Sequence, residues 1–266
     1  MHSITLLQGV LLAIMAMIVG FDFWLEGLYI FRPIIVCTLT GAILGDITTG
    51  LIAGGLTELA FAGLTPVGGT QPPNPILAGI MTTVIAYTTG ADVKATIGLA
   101  LPFSFLMQYV ILFYYSAFSV FMNKADKYAE EGDTTAFTRL NITTTLIVGI
   151  TYGVIVFLCT YVAQEPMRTL VESMPEWLKH GFEIAGGILP AVGFGLLLRV
   201  MLKIEYVPFL IIGFLVASFV QFTNLLPVAL IGAAFALYGY VNDKNKAQVV
   251  NVVNSNQGGE DYEDGI

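Results

Sequence analysis

The chain has 266 residues, of which 56% are hydrophobic and only 11% charged, and its mean hydropathy is +0.80. Average soluble proteins carry about 25% charged residues, so a water-soluble globule is excluded and the class is a polytopic membrane protein. The net charge is −8, with Glu260, Asp261, Glu263 and Asp264 crowded at the C-terminus, and no basic stripe points to nucleic acid.

Residues 3–21 form the first uncharged run. It lacks the basic start and small-residue cleavage site of a signal peptide and is kept in the mature protein, where it either spans or lies obliquely at the interface. Residues 33–45 and 47–57 are each short of the roughly 20 apolar residues that a span requires. Together they make either one span with an internal acid or a hairpin turning near Gly45 and Asp46. Residues 59–91 are uncharged but interrupted by the segment TPVGGTQPPNP at 65–75. Residues 95–123 suit one long tilted helix bent near Pro102. Residues 140–164 make a further span, residues 184–198 are short for a full span and are either half-buried or thickened by neighbours, and residues 206–242 make two shorter spans joined near Asn224. Residues 165–183 read as an amphipathic surface helix or loop. Residues 243–266 read as a disordered, acidic cytoplasmic tail, leaving 1–242 as the transmembrane domain.

Lysine and arginine placement orients the second half. With the 123–139 loop in the cytoplasm, Lys124, Lys127, Arg139, Arg199, Lys203, Lys244 and Lys246 lie inside, and Arg168 and Lys179 lie outside.

Chemistry-bearing residues are few. Ionisable groups are costly in lipid and face a cavity or a partner. Glu58 therefore either contacts a substrate, since a carboxylate accepts hydrogen bonds strongly, or pairs with a base such as Arg32. Asp46 suits a helix cap. In the proline segment, prolines stop regular helix and Gly68 and Gly69 admit close backbone approach. Thr65, Thr70, Gln71 and Asn74 offer neutral donors and acceptors that fit a polyol better than an ion; the bland alternative is an exposed turn. Asp22 and Trp24, with Glu26, make either an interfacial anchor with Tyr29 or a sugar platform. The glycines at 41, 45, 50, 54 and 55 pack helices closely or frame a substrate-lining element. Cys37 and Cys159 read as small buried hydrophobes, and His180 as a surface histidine. No Walker loop, metal cluster or nucleophile elbow is present, so no cofactor is expected and the chain is read as a permease rather than an enzyme.

These residues resemble component IIC of the mannose-type bacterial sugar phosphotransferase family. The resemblance rests on RPIIVCTLTGAILGDITTGLIAGGLTELAFAGL, on GGTQPPNP, on KADKYAEEGDT and on GFEIAGGILPAVGFGLLLRVM, and it covers nearly the whole chain. It is closest to members that take N-acetylgalactosamine or galactosamine. It implies an all-α fold with broken or re-entrant helices and two intertwined membrane subdomains. It also implies a partner membrane subunit IID, a trimer of IIC–IID pairs, and an inner-membrane location. Phosphate would come from soluble IIA and phosphorylated IIB. Glu58 and the polar positions of the proline segment are then the sugar-site candidates. The alternative reading is an ion-coupled secondary transporter using Glu58 and Asp46.

Overall fold

The computed structural model describes residues 2–64, 71–220 and 226–257. The described residues are mostly helical, joined by short turns and loops, and include no strand. Contacts divide the chain into two compact units, Met1–Val200 and Met201–Ile266.

The first unit holds α1 (Leu6–Leu25), α2 (Pro33–Leu44), α3 (Ile47–Phe61), α4 (Pro75–Thr89), α5 (Val93–Glu130), α6 (Thr134–Phe157), α7 (Gln164–Ser173) and α8 (Glu176–Met201), the last reaching the unit boundary. A π-helical stretch, Leu158–Val162, prolongs α6. Caps fix most starts. Thr5 and Gln8 form a reciprocal capping box on α1. Asp46, Asn74, Asp92 and Asp133 each accept a backbone N–H at the start of α3, α4, α5 and α6. Among the described residues four helices are long and apolar enough to cross a membrane: α1, α5, α6 with its π-helical end, and α8.

Between α2 and α3 the chain reverses at Gly45, whose φ of +88° closes α2, and Asp46. Of the two arrangements open from the sequence, the hairpin is the one formed. It is tight because glycine meets glycine: a Cβ on Gly41 would lie 2.8 Å from the Gly50 Cα, and one on Gly50 would lie 2.9 Å from the Gly41 Cα. The hairpin packs on α4, which is buried nearly all round and supplies Ile76, Leu77, Ile80, Met81 and Ile85 to the core. Leu12 and Val19 of α1, Met107 and Ile111 of α5, and Val148 and Tyr152 of α6 close around it.

Three expectations change. Residues 184–198 are the middle of the 26-residue α8; its charged end turns, with Glu176, Lys179, Glu183 and Arg199, hid its length. Residues 165–183 divide into α7 and the first turns of α8. In the second unit, α9 (Val207–Phe219) and α10 (Leu226–Gln257) follow a 3₁₀ turn at Ile204–Tyr206, and α10 carries helix through residues read as a disordered tail. The acidic cluster at 260–264 and the turn at Asn224 lie outside the described residues.

Candidate functional site

Two polar groupings occur among the apolar helices of the first unit. One is built on the hairpin. The guanidinium of Arg32, the N-cap residue of α2, meets the carboxylate of Glu58 in α3, with Nε 2.8 Å from Oε1 and Nη2 on the same oxygen. The other oxygen accepts the Ile34 N–H at 3.2 Å. Glu58 thus sits at the positive end of α2 as well as beside a cation. The pair is reachable: the side chains are 38% and 25% exposed. Of the two sequence alternatives for Glu58, pairing with Arg32 is present, and it leaves the carboxylate open to an approaching ligand.

The other grouping surrounds the start of α4. Asn74 is fully buried. Its Oδ1 caps α4 through the Leu77 N–H at 3.0 Å, and its Nδ2 donates to the Tyr152 hydroxyl at 2.6 Å. Its backbone is clipped to α5: Asn74 N–H donates to the Ser104 carbonyl at 3.2 Å, and Ser104 Oγ donates to the Asn74 carbonyl at 2.8 Å. Gln71, only 3% exposed, is held at two points. Gln108 Nε2 donates to its carbonyl, and the Tyr115 hydroxyl donates to its Oε1 at 3.1 Å. Among the described residues its Nε2 has no partner, and an unmade buried donor costs about 1–3 kcal/mol.

Trp24 joins this second grouping. Its ring lies 6.0 Å from those of Tyr115 and Phe118, so it packs on α5. Tyr29 turns to Phe31. Asp22 is buried, and its two oxygens accept the Leu28 and Ile30 N–H groups at 2.6 and 2.7 Å. These bonds hold a loop in which Glu26 and Tyr29 both adopt left-handed backbone, at φ of 48° and 58°, a conformation uncommon for residues other than glycine. Asp22 therefore shapes the loop that leads into Arg32. Thr65, Gly68, Gly69 and Thr70 lie outside the described residues.

Asp46 caps α3 as read from the sequence, taking Thr49 N–H at 3.0 Å and Thr49 Oγ1 at 2.6 Å. Cys37 and Cys159 are buried and unpaired. His180 is exposed and has Glu183 3.3 Å from its Nδ1, a partner the sequence reading had not assigned. Ser104, Gln108, Tyr115 and Tyr152 were missed. The available signal was spacing: Ser104, Gln108 and Tyr115 fall on one face of α5 at i, i+4 and i+11. Among the described residues no group of three histidine, cysteine or acidic side chains comes together as a metal site.

Amides, hydroxyls and an aromatic face in one grouping, and a partly exposed carboxylate in the other, are the groups that hold a neutral, hydroxyl-rich molecule. Helices long enough to span, a broken hairpin and a buried polar segment at the start of α4 together define an integral membrane protein with irregular backbone among its helices.

The comparisons give the family. Residues 6–238 match the family described as PTS system sorbose-specific IIC component. The N-acetylgalactosamine permease IIC component 1 of Escherichia coli (strain K12) is 67% identical over the whole of both chains. The PTS mannose-specific EIIC component of the same organism is 31% identical over 88% of each chain. The fructose permease IIC component of Bacillus subtilis (strain 168) is 30% identical over 91% of this chain and 90% of that one. Two solved structures agree. One, described as a membrane protein, superposes with a TM-score of 0.81 at 29% identity, over 90% of this chain and 97% of that one. The other, the mannose transporter ManYZ with microcin E492, gives 0.57 at 30% identity, over 91% and 97%. The chain belongs to the mannose-type family of phosphotransferase-system IIC components.

Proposed function

We propose that this chain is the sugar-translocating subunit of a phosphoenolpyruvate-dependent phosphotransferase system in a bacterial inner membrane, and that its substrate is N-acetylgalactosamine or galactosamine. The observation that carries the substrate class is the 67% identity, end to end, with a relative named for N-acetylgalactosamine, against about half that for relatives named for mannose and fructose.

In this reading the sugar binds at the polar surfaces of the first unit. Glu58 accepts from sugar hydroxyls while Arg32 holds it in place. Gln71 contributes an amide and Trp24 a ring face, and Thr65, Gly68, Gly69 and Thr70 of the proline segment complete the site. Asn74, a sugar-contact candidate from the sequence, instead acts by fixing the start of α4, because it is fully buried with its amide bound to Leu77 and Tyr152. Asp22 acts by fixing the loop before Arg32. The phosphate arrives from outside the chain, from phosphorylated IIB supplied by IIA, and the chain works beside a IID membrane subunit in a trimer of pairs. A solved relative described as the mannose transporter ManYZ supports assembly with a second membrane chain.

The ion-coupled alternative would draw on Glu58 and Asp46, and both are already engaged, by Arg32 and by Thr49. The test is uptake of labelled N-acetylgalactosamine into vesicles holding this chain, with and without its membrane partner and phosphorylated IIB. Sugar 6-phosphate that forms only when all are present is the expected result. Free sugar accumulated by this chain alone, driven by a proton or sodium gradient, would contradict it.

A further inference from the structure

Gln71 is fixed in a way that leaves one group over. Gln108 takes its backbone carbonyl, Tyr115 takes its side-chain oxygen, and the residue is 97% buried, yet among the described residues Nε2 meets no acceptor. Among the described residues the other buried atoms without a partner are the hydroxyls of Thr57 and Thr82. A hydroxyl hydrogen can rotate to a new acceptor, whereas an amide nitrogen carries its hydrogens in a fixed plane; with the Tyr115 hydroxyl donating to Oε1, Nε2 is the group left over. Natural interiors satisfy nearly all buried polar groups, and an exception calls for an explanation. Tyr115, whose hydroxyl holds the oxygen of this amide, is 48% exposed, and the half-buried Trp24 packs on it at 6.0 Å between ring centres, so the amide is joined through Tyr115 to an accessible aromatic edge.

We propose that Gln71 Nε2 is the donor for the acetamido carbonyl of an N-acetylated amino sugar, and that Gln71, positioned by Tyr115, makes this chain prefer the acetylated sugar to the free amine. The inference rests on the sugar-permease reading and deepens it. The chemistry is one of complementary ends. An acetamido group presents a carbonyl oxygen, an acceptor for the free N–H. An ammonium group presents only donors and would face Nε2 donor to donor. Rejection of a substrate whose group cannot pair with a buried polar atom is a strong route to selectivity. The acetamido group would enter from the Trp24–Tyr115 edge as the site opens. Glu26 is exposed on the same side and is the group an ammonium would seek instead.

The experiment uses membranes containing the full chain with its partner subunits. Competition by unlabelled N-acetylgalactosamine, galactosamine and galactose is measured against labelled N-acetylgalactosamine, and in the variants against labelled galactosamine. Wild type is expected to favour N-acetylgalactosamine. Gln71→Glu keeps an acceptor for the Tyr115 hydroxyl, replaces the free donor with an acceptor and adds a carboxylate charge that an ammonium group can meet. It is expected to shift the preference toward galactosamine by about 10- to 100-fold, with galactose, which carries neither group, moving less. Tyr115→Phe frees the Gln71 amide to turn and is expected to lower the preference by about 3- to 10-fold; it decides the matter if Gln71→Glu does not fold. A wild-type preference for galactosamine overturns the proposal, because the opposite amide orientation, with Oε1 free, would select the ammonium. So does a preference in the folded variants within about twofold of wild type. A wild-type complex that takes up none of these sugars removes the permease reading itself, and this inference with it.

Discussion

Asn74 carries more bonds than any other polar side chain near the proline segment. It caps α4, binds the Tyr152 hydroxyl in α6 and is clipped by its backbone to Ser104 in α5. Asn74→Ala removes the cap and leaves a buried phenol without its partner. The expected loss is about 2–4 kcal/mol, read from unfolding midpoints in detergent; a loss below about 1 kcal/mol would show that Tyr152 and the α4 start find other partners. Glu58 should behave in the opposite way. Its pair with Arg32 is partly exposed, so Glu58→Gln should cost less than about 1 kcal/mol in stability. Formation of sugar 6-phosphate should nevertheless fall about tenfold or more, since a charged acceptor is replaced by a neutral one. Undiminished turnover would place the sugar elsewhere. The sequence made the scarce charges legible, because each ionisable group stands out against apolar neighbours. It offered both roles for Glu58 and the capping role of Asp46. It did not reveal Gln108, Tyr115 or Tyr152, because an amide or phenol in an uncharged run barely alters hydropathy. Nor did it reveal that the carboxylate of Asp22 is taken up by two backbone amides, which depends on a left-handed loop.

At the scale of elements, the α2–α3 hairpin is the device that presents Glu58. Its two helices are too short to cross a bilayer alone, and their closeness depends on Gly41 facing Gly50. Gly41→Ala places a methyl group 2.8 Å from the Gly50 Cα, so the helices must part. Overpacking of this kind costs about 1–3 kcal/mol. The expected outcome is a lower unfolding midpoint together with weaker sugar binding, because Arg32 and Glu58 sit on opposite arms. An unchanged midpoint would mean that the hairpin relaxes freely. The hairpin was one of two arrangements open from sequence, and Gly45 at positive φ with Asp46 as cap is what selects it. Helix ends were the least legible feature. Hydropathy stops at the membrane surface, but helical hydrogen bonding continues beyond it, as in α8 from Glu176 and α5 to Glu130.

Over the whole molecule, α5 shows the same overshoot. Its 38 residues extend about 57 Å, against a hydrocarbon thickness of about 30 Å. Its far end, with Lys124 and Lys127, and the start of α6, with Arg139, therefore project into water. The lysine and arginine asymmetry counted from the sequence predicts that this projection lies in the cytoplasm. Asp126→Cys lies on its exposed surface, and the native Cys37 and Cys159 are buried, so background labelling is low. A membrane-impermeant maleimide should reach Asp126→Cys in inverted vesicles and not in intact cells; the reverse pattern would invert the topology.

The central claim, that the sugar binds beside Trp24 and Gln71 in the first unit, has a direct optical test. The chain has two tryptophans, and Trp177 is 75% exposed on α8. In the variant Trp177→Phe, assembled with its partner subunits, Trp24 is this chain's sole indole. The measurement is the difference in emission between complexes carrying Trp177→Phe and complexes also carrying Trp24→Phe, which removes the partners' contribution. Titration with N-acetylgalactosamine should change this Trp24 signal saturably, and the Gln71→Glu substitution should weaken the response. A signal that stays flat while the same complex still phosphorylates the sugar would contradict the account and move the binding site away from α1 and α5.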